Sequence, residues 1–164
     1  ADTGGSTRPG HTIPHAVRMV GAKNSLRDSC VENMILTRLP DGKGEIVAVH
    51  FDAASGSVLQ NNTLIESVDG DDTAIPADDH RERRFGVWVN GGPQRDTFLT
   101  ATGNRFFGWK VPFAFTPGTD GRVRDNTFVG AAANPIRGRP AADLSHNEQK
   151  QQGRAEDTCR GAAP

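Results

Sequence analysis

His50 and Asp52 are the first residues of this chain that suggest chemistry. They stand two apart in VAVHFDA (47–53). In an extended strand that spacing puts both on one face, and an imidazole beside a carboxylate is an acid/base pair. Trp88 and Asn90 have the same spacing in GVWVN, and Arg18 occupies the matching place in AVRMV. A second group lies in VDGDDTAIPADDHRERR (68–84), with Asp69, Asp71, Asp72, Asp78, Asp79, His80, Arg81, Arg83 and Arg84. Asp69, Asp71, Asp78 and Asp79 offer the oxygens that a hard cation such as Ca²⁺ collects. Alternatively, Arg81, Arg83 and Arg84 offer the forked donors that suit carboxylates. Both readings stay open on the sequence. No zinc-ligand spacing, P-loop, nucleophile elbow or dinucleotide fingerprint is present.

The totals bound what these residues can serve. At 164 residues the chain is expected to form one domain with a real core. It carries 19 basic and 20 acidic residues, a formal charge of −1. No global field draws it to nucleic acid or to an anionic membrane, and no apolar run is long enough to span a bilayer. The chain opens at Ala1 without Met and without the apolar stretch of a signal peptide. That opening fits a removed leader, a removed initiator Met, or a start inside a longer protein. Nineteen Gly, ten Pro and no Tyr suit short strands joined by many turns.

The elements that must position the candidate residues show themselves as a repeat. The phrases SCVENMILT (29–37), VLQNNTLIE (58–66), ATGNRFFGW (101–109) and RVRDNTFVG (122–130) align on Asn33, Asn62, Asn104 and Asn126. Three residues before each Asn stand Cys30, Leu59, Ala101 and Val123, and two after stand Ile35, Leu64, Phe106 and Phe128. Upstream of each phrase lies a second register: AVRMVG (16–21), AVHFDA (48–53), GVWVNG (86–91) and PFAFTP (112–117). Its second and fourth positions are apolar throughout: Val17/Met19, Val49/Phe51, Val87/Val89 and Phe113/Phe115. The third position varies freely, as Arg18, His50, Trp88 and Ala114. That alternation predicts one buried and one open strand face. The aligned Asn residues lie 29, 42 and 22 apart. A coil of about 22 residues is therefore expected, with a small loop at 40–45 and a large insertion at 67–84.

The pattern V-x-[MFV]-x … N-x-[ILF] resembles the right-handed parallel β-helix repeat proteins, among them pectate lyases, polygalacturonases, alginate-modifying enzymes and phage tailspikes. The resemblance covers residues 15–133. It implies an all-β fold, a right-handed single-stranded parallel β-helix of about four coils with a polar C-terminal tail or cap. Residues 1–14 are then an extended N-terminal segment, and 134–164 the tail or cap. Stacked coils place like residues above one another at about 4.8 Å. A column of Asn can there satisfy buried turn backbone, so these Asn are expected to be structural.

The resemblance also implies a function. Enzymes of this kind bind polysaccharide in a groove along a strand face, here Arg18, His50, Asp52, Trp88 and Asn90. Trp88 would stack on a sugar ring, Asn90 and Asp52 would bond hydroxyls, and His50 with Asp52 would transfer protons. Lys110 is a further candidate base for a lyase. The fragment VDGDDTAI (68–75) resembles the GDD-containing motif of polygalacturonases, which would make Asp71 and Asp72 catalytic. The Gly-His-Gly and Arg-Ile-Lys motifs of that family are missing. The expected function is a lyase, hydrolase or epimerase acting on, or a protein binding, an acidic polysaccharide, with Ca²⁺ as the one cofactor suggested. The alternative is a non-catalytic spike, decoration or adhesion module, or part of a longer β-helix. An extracellular or virion-surface location accompanies either.

Three expectations concern the margins. Residues 142–157 suit a short polar helix capped near Asp143 or Ser145, or disorder. Cys30 falls in an inward column, which predicts a buried thiol. A Cys30–Cys159 disulfide would instead tie the tail to the first coils. Leu36, Ile65, Phe107 and Val129 form an apolar column beside an inward one. It needs a bend or a cover, from the tail or from a neighbouring subunit in a homotrimer.

Overall fold

A computed structural model describes residues 15–32, 46–53, 55–66, 84–91, 97–138 and 143–154. They form fourteen strands and no helix. The first coil runs β1 (His15–Val20), β2 (Ser25–Arg27) and β3 (Cys30–Val31). The second is β4 (Ile46–Asp52), β5 (Ser57–Gln60) and β6 (Thr63–Ile65). The third is β7 (Arg84–Asn90), β8 (Thr97–Thr102) and β9 (Arg105–Phe107). The fourth is β10 (Val111–Phe115), β11 (Thr119–Arg124) and β12 (Thr127–Val129), followed by β13 (Ile136–Arg137) and β14 (Glu148–Lys150).

Each strand pairs with the one three along, except β14, which pairs with β12, and every pairing is parallel. The first sheet is ordered β1-β4-β7-β10-β13, the second β11-β8-β5-β2, and the third β14-β12-β9-β6-β3. This is the architecture of a parallel β-solenoid. Among the described residues no helix is long and apolar enough to cross a membrane.

The apolar columns expected from the first-sheet alternation are those observed. Val17 registers on Val49, Val49 on Val87, and Val87 on Phe113. Met19, Phe51, Val89 and Phe115 do the same one pleat along. The second sheet contributes Leu26, Leu59, Ala101 and Val123, and the third Val31, Leu64, Phe106 and Phe128. These residues meet in one core. Branched and aromatic side chains suit such pleated layers, where each touches its like in the coil above and below.

The turn between the second and third sheets has two residues in each of the first four coils: 28–29, 61–62, 103–104 and 125–126. Residues 146–147 repeat it before β14. Its first residue always has positive φ: Asp28, Asn61, Gly103, Asp125 and His146, at 48°, 55°, 67°, 56° and 58°. Its second residue forms the expected ladder. The Asn62 backbone N–H donates to Asn104 Oδ1, and the Asn104 N–H to Asn126 Oδ1, each at 3.0 Å. Side-chain amides link the same pairs at 3.0 and 2.9 Å.

The ladder differs from the expectation at both ends. In the first coil the position belongs to Ser29, whose N–H donates to Asn62 Oδ1 across 33 residues. Asn33 lies outside the described residues. The first phrase is therefore offset by four, and Cys30 pairs with Thr63, on an exposed position, not with Leu59. It is disulfide-bonded, not a buried thiol. At the other end the ladder continues to Asn147, which accepts from the N–H of Asn126 at 3.1 Å. The expected helix over 142–157 is not formed within 143–154. Glu148–Lys150 instead pairs with β12.

Candidate functional site

The outer side of the first sheet carries the residues that the strand-face reading singles out, in the order it expects. Arg18, His50, Trp88 and Ala114 form one register column, which Arg137 extends in β13. Val20, Asp52 and Asn90 form the next, and the Thr116 N–H continues it by donating to the Val89 carbonyl at 3.0 Å.

The second column is a chain of polar contacts. An Arg18 guanidinium nitrogen lies 2.6 Å from Asp52 Oδ2. Asn90 Nδ2 is 3.5 Å from Asp52 Oδ1, at the limit of a hydrogen bond. Thr116 donates its hydroxyl to Asn90 Oδ1 at 3.3 Å and accepts from the Gly91 N–H at 3.2 Å. The Arg18 and Asp52 side chains are 47% and 22% exposed, so water screens their attraction and the pair contributes at most about 1 kcal/mol. Its structural value is orientation: the carboxylate is held toward the coil edge.

The first column is less open than the alternation predicts. His50 is 5% exposed and Ala114 6%. Val47, Phe85 and Val111 stack in register yet cluster with Ala114 and Trp88, apart from the main core. Ala48 does belong to that core, and a Cβ on Gly86 would meet the Phe106 ring at 2.9 Å. The alternation thus slips by one residue near the start of β4 and β7, which turns Val47 and Phe85 outward. The result is a second apolar layer on a face expected to be solvated. Within it the Trp88 ring lies 5.9 Å from His50 and 5.4 Å from Phe85, edge-on to the latter. The Arg137 guanidinium stands 5.3 Å over the Phe85 ring, in cation–π range.

These positions separate the roles. Asp52, Trp88 and Asn90 are half-buried and Arg18 is exposed, so each can meet a ligand at the surface. His50 is shut into the apolar layer beside Trp88, and the Asp52 carboxylate is engaged by Arg18 and Asn90.

Arg84, expected among the ligand-binding residues, lies in a buried ion pair. Its side chain is 2% exposed and its Nε lies 3.1 Å from Glu66 Oε1, equally buried. Arg84 opens β7 and Glu66 follows β6, so this pair closes the neck of the insertion, now bounded as 67–83. Asp69, Asp71, Asp72, Asp78, Asp79, Arg81 and Arg83 lie outside the described residues. Among the described residues no three metal-binding side chains converge.

Arg137 belongs to the face and was not foreseen. Pro135-Ile136-Arg137 repeats Pro112-Phe113-Ala114 in sequence, and that echo was the available signal. The apolar column beside the third-sheet core is likewise corrected at its foot, since Glu32, and not Leu36, follows the paired Cys30-Val31. No family model matches the chain, and no curated protein or solved structure matches it significantly.

Proposed function

We propose that the chain is a right-handed single-stranded parallel β-helix of about four coils that binds an acidic polysaccharide along the outer face of its first sheet. The hand rests on the strong preference of parallel strand connections for the right-handed crossover. The coil count rests on the four complete strand triplets. The observation that carries the binding role is the polar row Arg18–Asp52–Asn90–Thr116. It runs from Arg18 across Asp52 and Asn90 on three neighbouring strands to Thr116 just beyond the fourth, beside the half-buried Trp88 ring and the exposed Arg137. A polymer with hydroxyls and carboxylates along its length meets a matching donor, acceptor or cation on each strand.

Binding is favoured over catalysis on this face because His50 is buried. The loop acids Asp71 and Asp72 keep a lyase or hydrolase role as the second arm of the test. The bonded Cys30 supports an extracellular or virion-surface location, where disulfides persist. The test is retention on immobilised polyuronates, with and without Ca²⁺, together with a search for new reducing or unsaturated chain ends. Wild type should be retained, and Arg18→Gln/Arg137→Gln and Trp88→Ala should be retained less. Equal retention of all three proteins refutes the face. Cleavage that Asp71→Ala/Asp72→Ala abolishes would move the activity to the insertion.

A further inference from the structure

The second sheet ends on β11, whose outer edge faces no further strand of that sheet. An edge strand leaves every second N–H outside the ladder. In β11 these groups find partners one by one. The Thr119 N–H donates to Thr116 O at 3.1 Å, the Val123 N–H to Asp143 O at 3.0 Å, and the Asp125 N–H to Ser145 O at 3.4 Å. Gly121 stands between them. Its N–H meets the side chain of the residue before it, Asp120 Oδ1, at 2.7 Å.

Asp120-Gly121 is a pair with chemistry of its own. The backbone nitrogen after an aspartate can attack the side-chain carboxyl carbon and close a cyclic imide. The carboxyl carbon is one bond from the oxygen that the nitrogen already touches, and a fold that holds reacting groups together supplies part of the barrier in advance. No side chain on Gly121 hinders the attack, and packing keeps it so. A Cβ there would meet Leu99 O at 2.7 Å and the Phe115 ring at 2.9 Å. Asp120 is half-buried, so part of it is open to water. Asn90-Gly91, the other Asn/Asp-Gly pair among the described residues, is held differently. The Gly91 N–H donates to Thr116 Oγ1 at 3.2 Å, and Asn90 Oδ1 accepts from the same hydroxyl at 3.3 Å. Nitrogen and amide are there both engaged by Thr116.

We propose that Asp120-Gly121 is a self-modification site at which β11 converts to a cyclic imide and then to isoaspartate. In the first step the bond from Gly121 N to Asp120 Cγ forms and the Cγ–OH bond breaks. The Gly121 amide proton and that hydroxyl leave together as water. In the second step water adds to the imide. Opening at Cγ restores aspartate, and opening at the Asp120 main-chain carbonyl leaves the backbone running through Cβ. No electrons are exchanged, and water is the only other reactant. The isoaspartyl link adds one carbon to β11 ahead of Arg122, Val123 and Arg124, which register on Thr100, Ala101 and Thr102. The edge bonds from Val123 and Asp125 to the closing segment 143–145 are then the first to loosen.

The test incubates the full chain near neutral pH, folded and in urea, and maps its peptides. The folded protein should yield a peptide spanning 120–121 that is lighter by one water. It should also yield an isomer of unchanged mass that an isoaspartate-specific methyltransferase labels. In the fold this site should change ahead of Asn90. In urea, where neither pair is held, the better-leaving amide of Asn90 should react first. Asp120→Glu, which needs a larger ring, should abolish both products at this site. The isoaspartyl form should exchange the 123 and 125 amides faster than its parent and keep the protection of 85–90. An unaltered 120–121 peptide in the folded protein, Asn90 changing first in the fold, products that survive Asp120→Glu, or unchanged exchange at 123 and 125 would each overturn the proposal.

Discussion

Asn104 is the central rung of the asparagine ladder, and its removal gives the sharpest test of how the coils are held. Its Oδ1 accepts from the Asn62 N–H and from Asn62 Nδ2, both at 3.0 Å. Its Nδ2 contacts the Leu59 and Thr102 carbonyls and Asn126 Oδ1, at 3.0, 3.2 and 2.9 Å. In Asn104→Ala several partners keep another bond. Thr102 O still accepts from the Asn61 N–H, Asn126 Oδ1 from the Asn104 N–H, and Asn62 Nδ2 still donates to Leu26 O. Left without an acceptor are the backbone N–H and the second amide proton of Asn62, itself fully buried. At about 1–3 kcal/mol for each buried orphan, the loss is about 2–6 kcal/mol. Ser29→Ala removes only one bond, to Arg27 O at the exposed end of the ladder, and should cost under about 1 kcal/mol. Asn104→Asp separates donor from acceptor. It keeps Oδ1 but sets a second oxygen against Leu59 O and Asn126 Oδ1. Burial among acceptors raises the folded pKa of that carboxyl, so its penalty is absent below the unfolded value and grows as pH rises through the folded one. Urea unfolding followed by far-ultraviolet dichroism reads all three, with the midpoint moving at constant slope. An Asn104→Ala loss below about 1 kcal/mol would show that the ladder records the fold without holding it.

Three further outcomes follow from contacts already described. Arg84→Met removes the guanidinium that lies 3.1 Å from the buried Glu66 carboxylate and should cost about 3–5 kcal/mol, whereas Glu66→Met/Arg84→Met should return most of it; a double variant no more stable than the single would refute the pairing. Gly103→Ala forces a side chain into positive φ at 67° and places its Cβ 2.5 Å from Asn61 Oδ1. A loss of about 1–2 kcal/mol is expected, part of which Asn61→Gly should recover in a double-mutant cycle. Asp143 lies below its ordinary pKa of 3.8, chiefly through hydrogen bonds from Ser145. A lowered folded pKa stabilises above the unfolded value and is lost as pH falls through the folded one. The protection of the Ser145 amide relative to its intrinsic exchange rate should therefore fall at acid pH in wild type, and should already be low near neutrality in Asp143→Ala.

The first sheet was legible in the sequence because its period-two alternation recurs with few gaps. Val17/Met19, Val49/Phe51, Val87/Val89 and Phe113/Phe115 fall in register as written. The Asn ladder was legible only where Asn fills it. In the first coil Ser29 holds the position, and Asn33 offered a false match four residues on. Asn147 escaped because its coil keeps only one of the apolar neighbours: Leu144 stands where another coil has Val123, but Gln149 replaces Phe128, on the exposed last rung. The better signature is the pair of turn residues. A residue tolerant of positive φ followed by Asn or Ser reads Asp-Ser, Asn-Asn, Gly-Asn, Asp-Asn and His-Asn through all five. The site was legible as an address and not as an environment. Which residues share the face follows from the pleat, but the closure of that face around His50 depends on a one-residue slip at Ala48 and Gly86 that alternation cannot reveal.

The same physics explains where this chain has room to acquire chemistry. The turn between the second and third sheets is pinned at two residues in each of the first four coils, because one must take positive φ and the next must reach both neighbouring rungs. An extra residue there would pull its Asn out of the ladder on two sides. The corner from the third sheet back to the first is tied at its first residue, where the Glu66 and Gly108 N–H groups donate to the Phe107 and Val129 carbonyls at 2.9 and 3.0 Å, but beyond that residue its length is not fixed. It takes three residues, 108–110, in the third coil, but eighteen, 66–83, in the second. Growth at that corner is thermodynamically mild, since doubling a loop adds only about 0.6 kcal/mol of closure entropy. Two insertions of the same Gly-Ser-Gly-Ser segment decide the point. After Gly108 the protein should lose no more than about 1 kcal/mol. Between Asn61 and Asn62 it should lose the ladder bonds to Ser29 and Asn104 together and unfold at markedly lower urea. Equal losses at the two sites would mean that the asparagine turn does not set the frame on which the binding face is built.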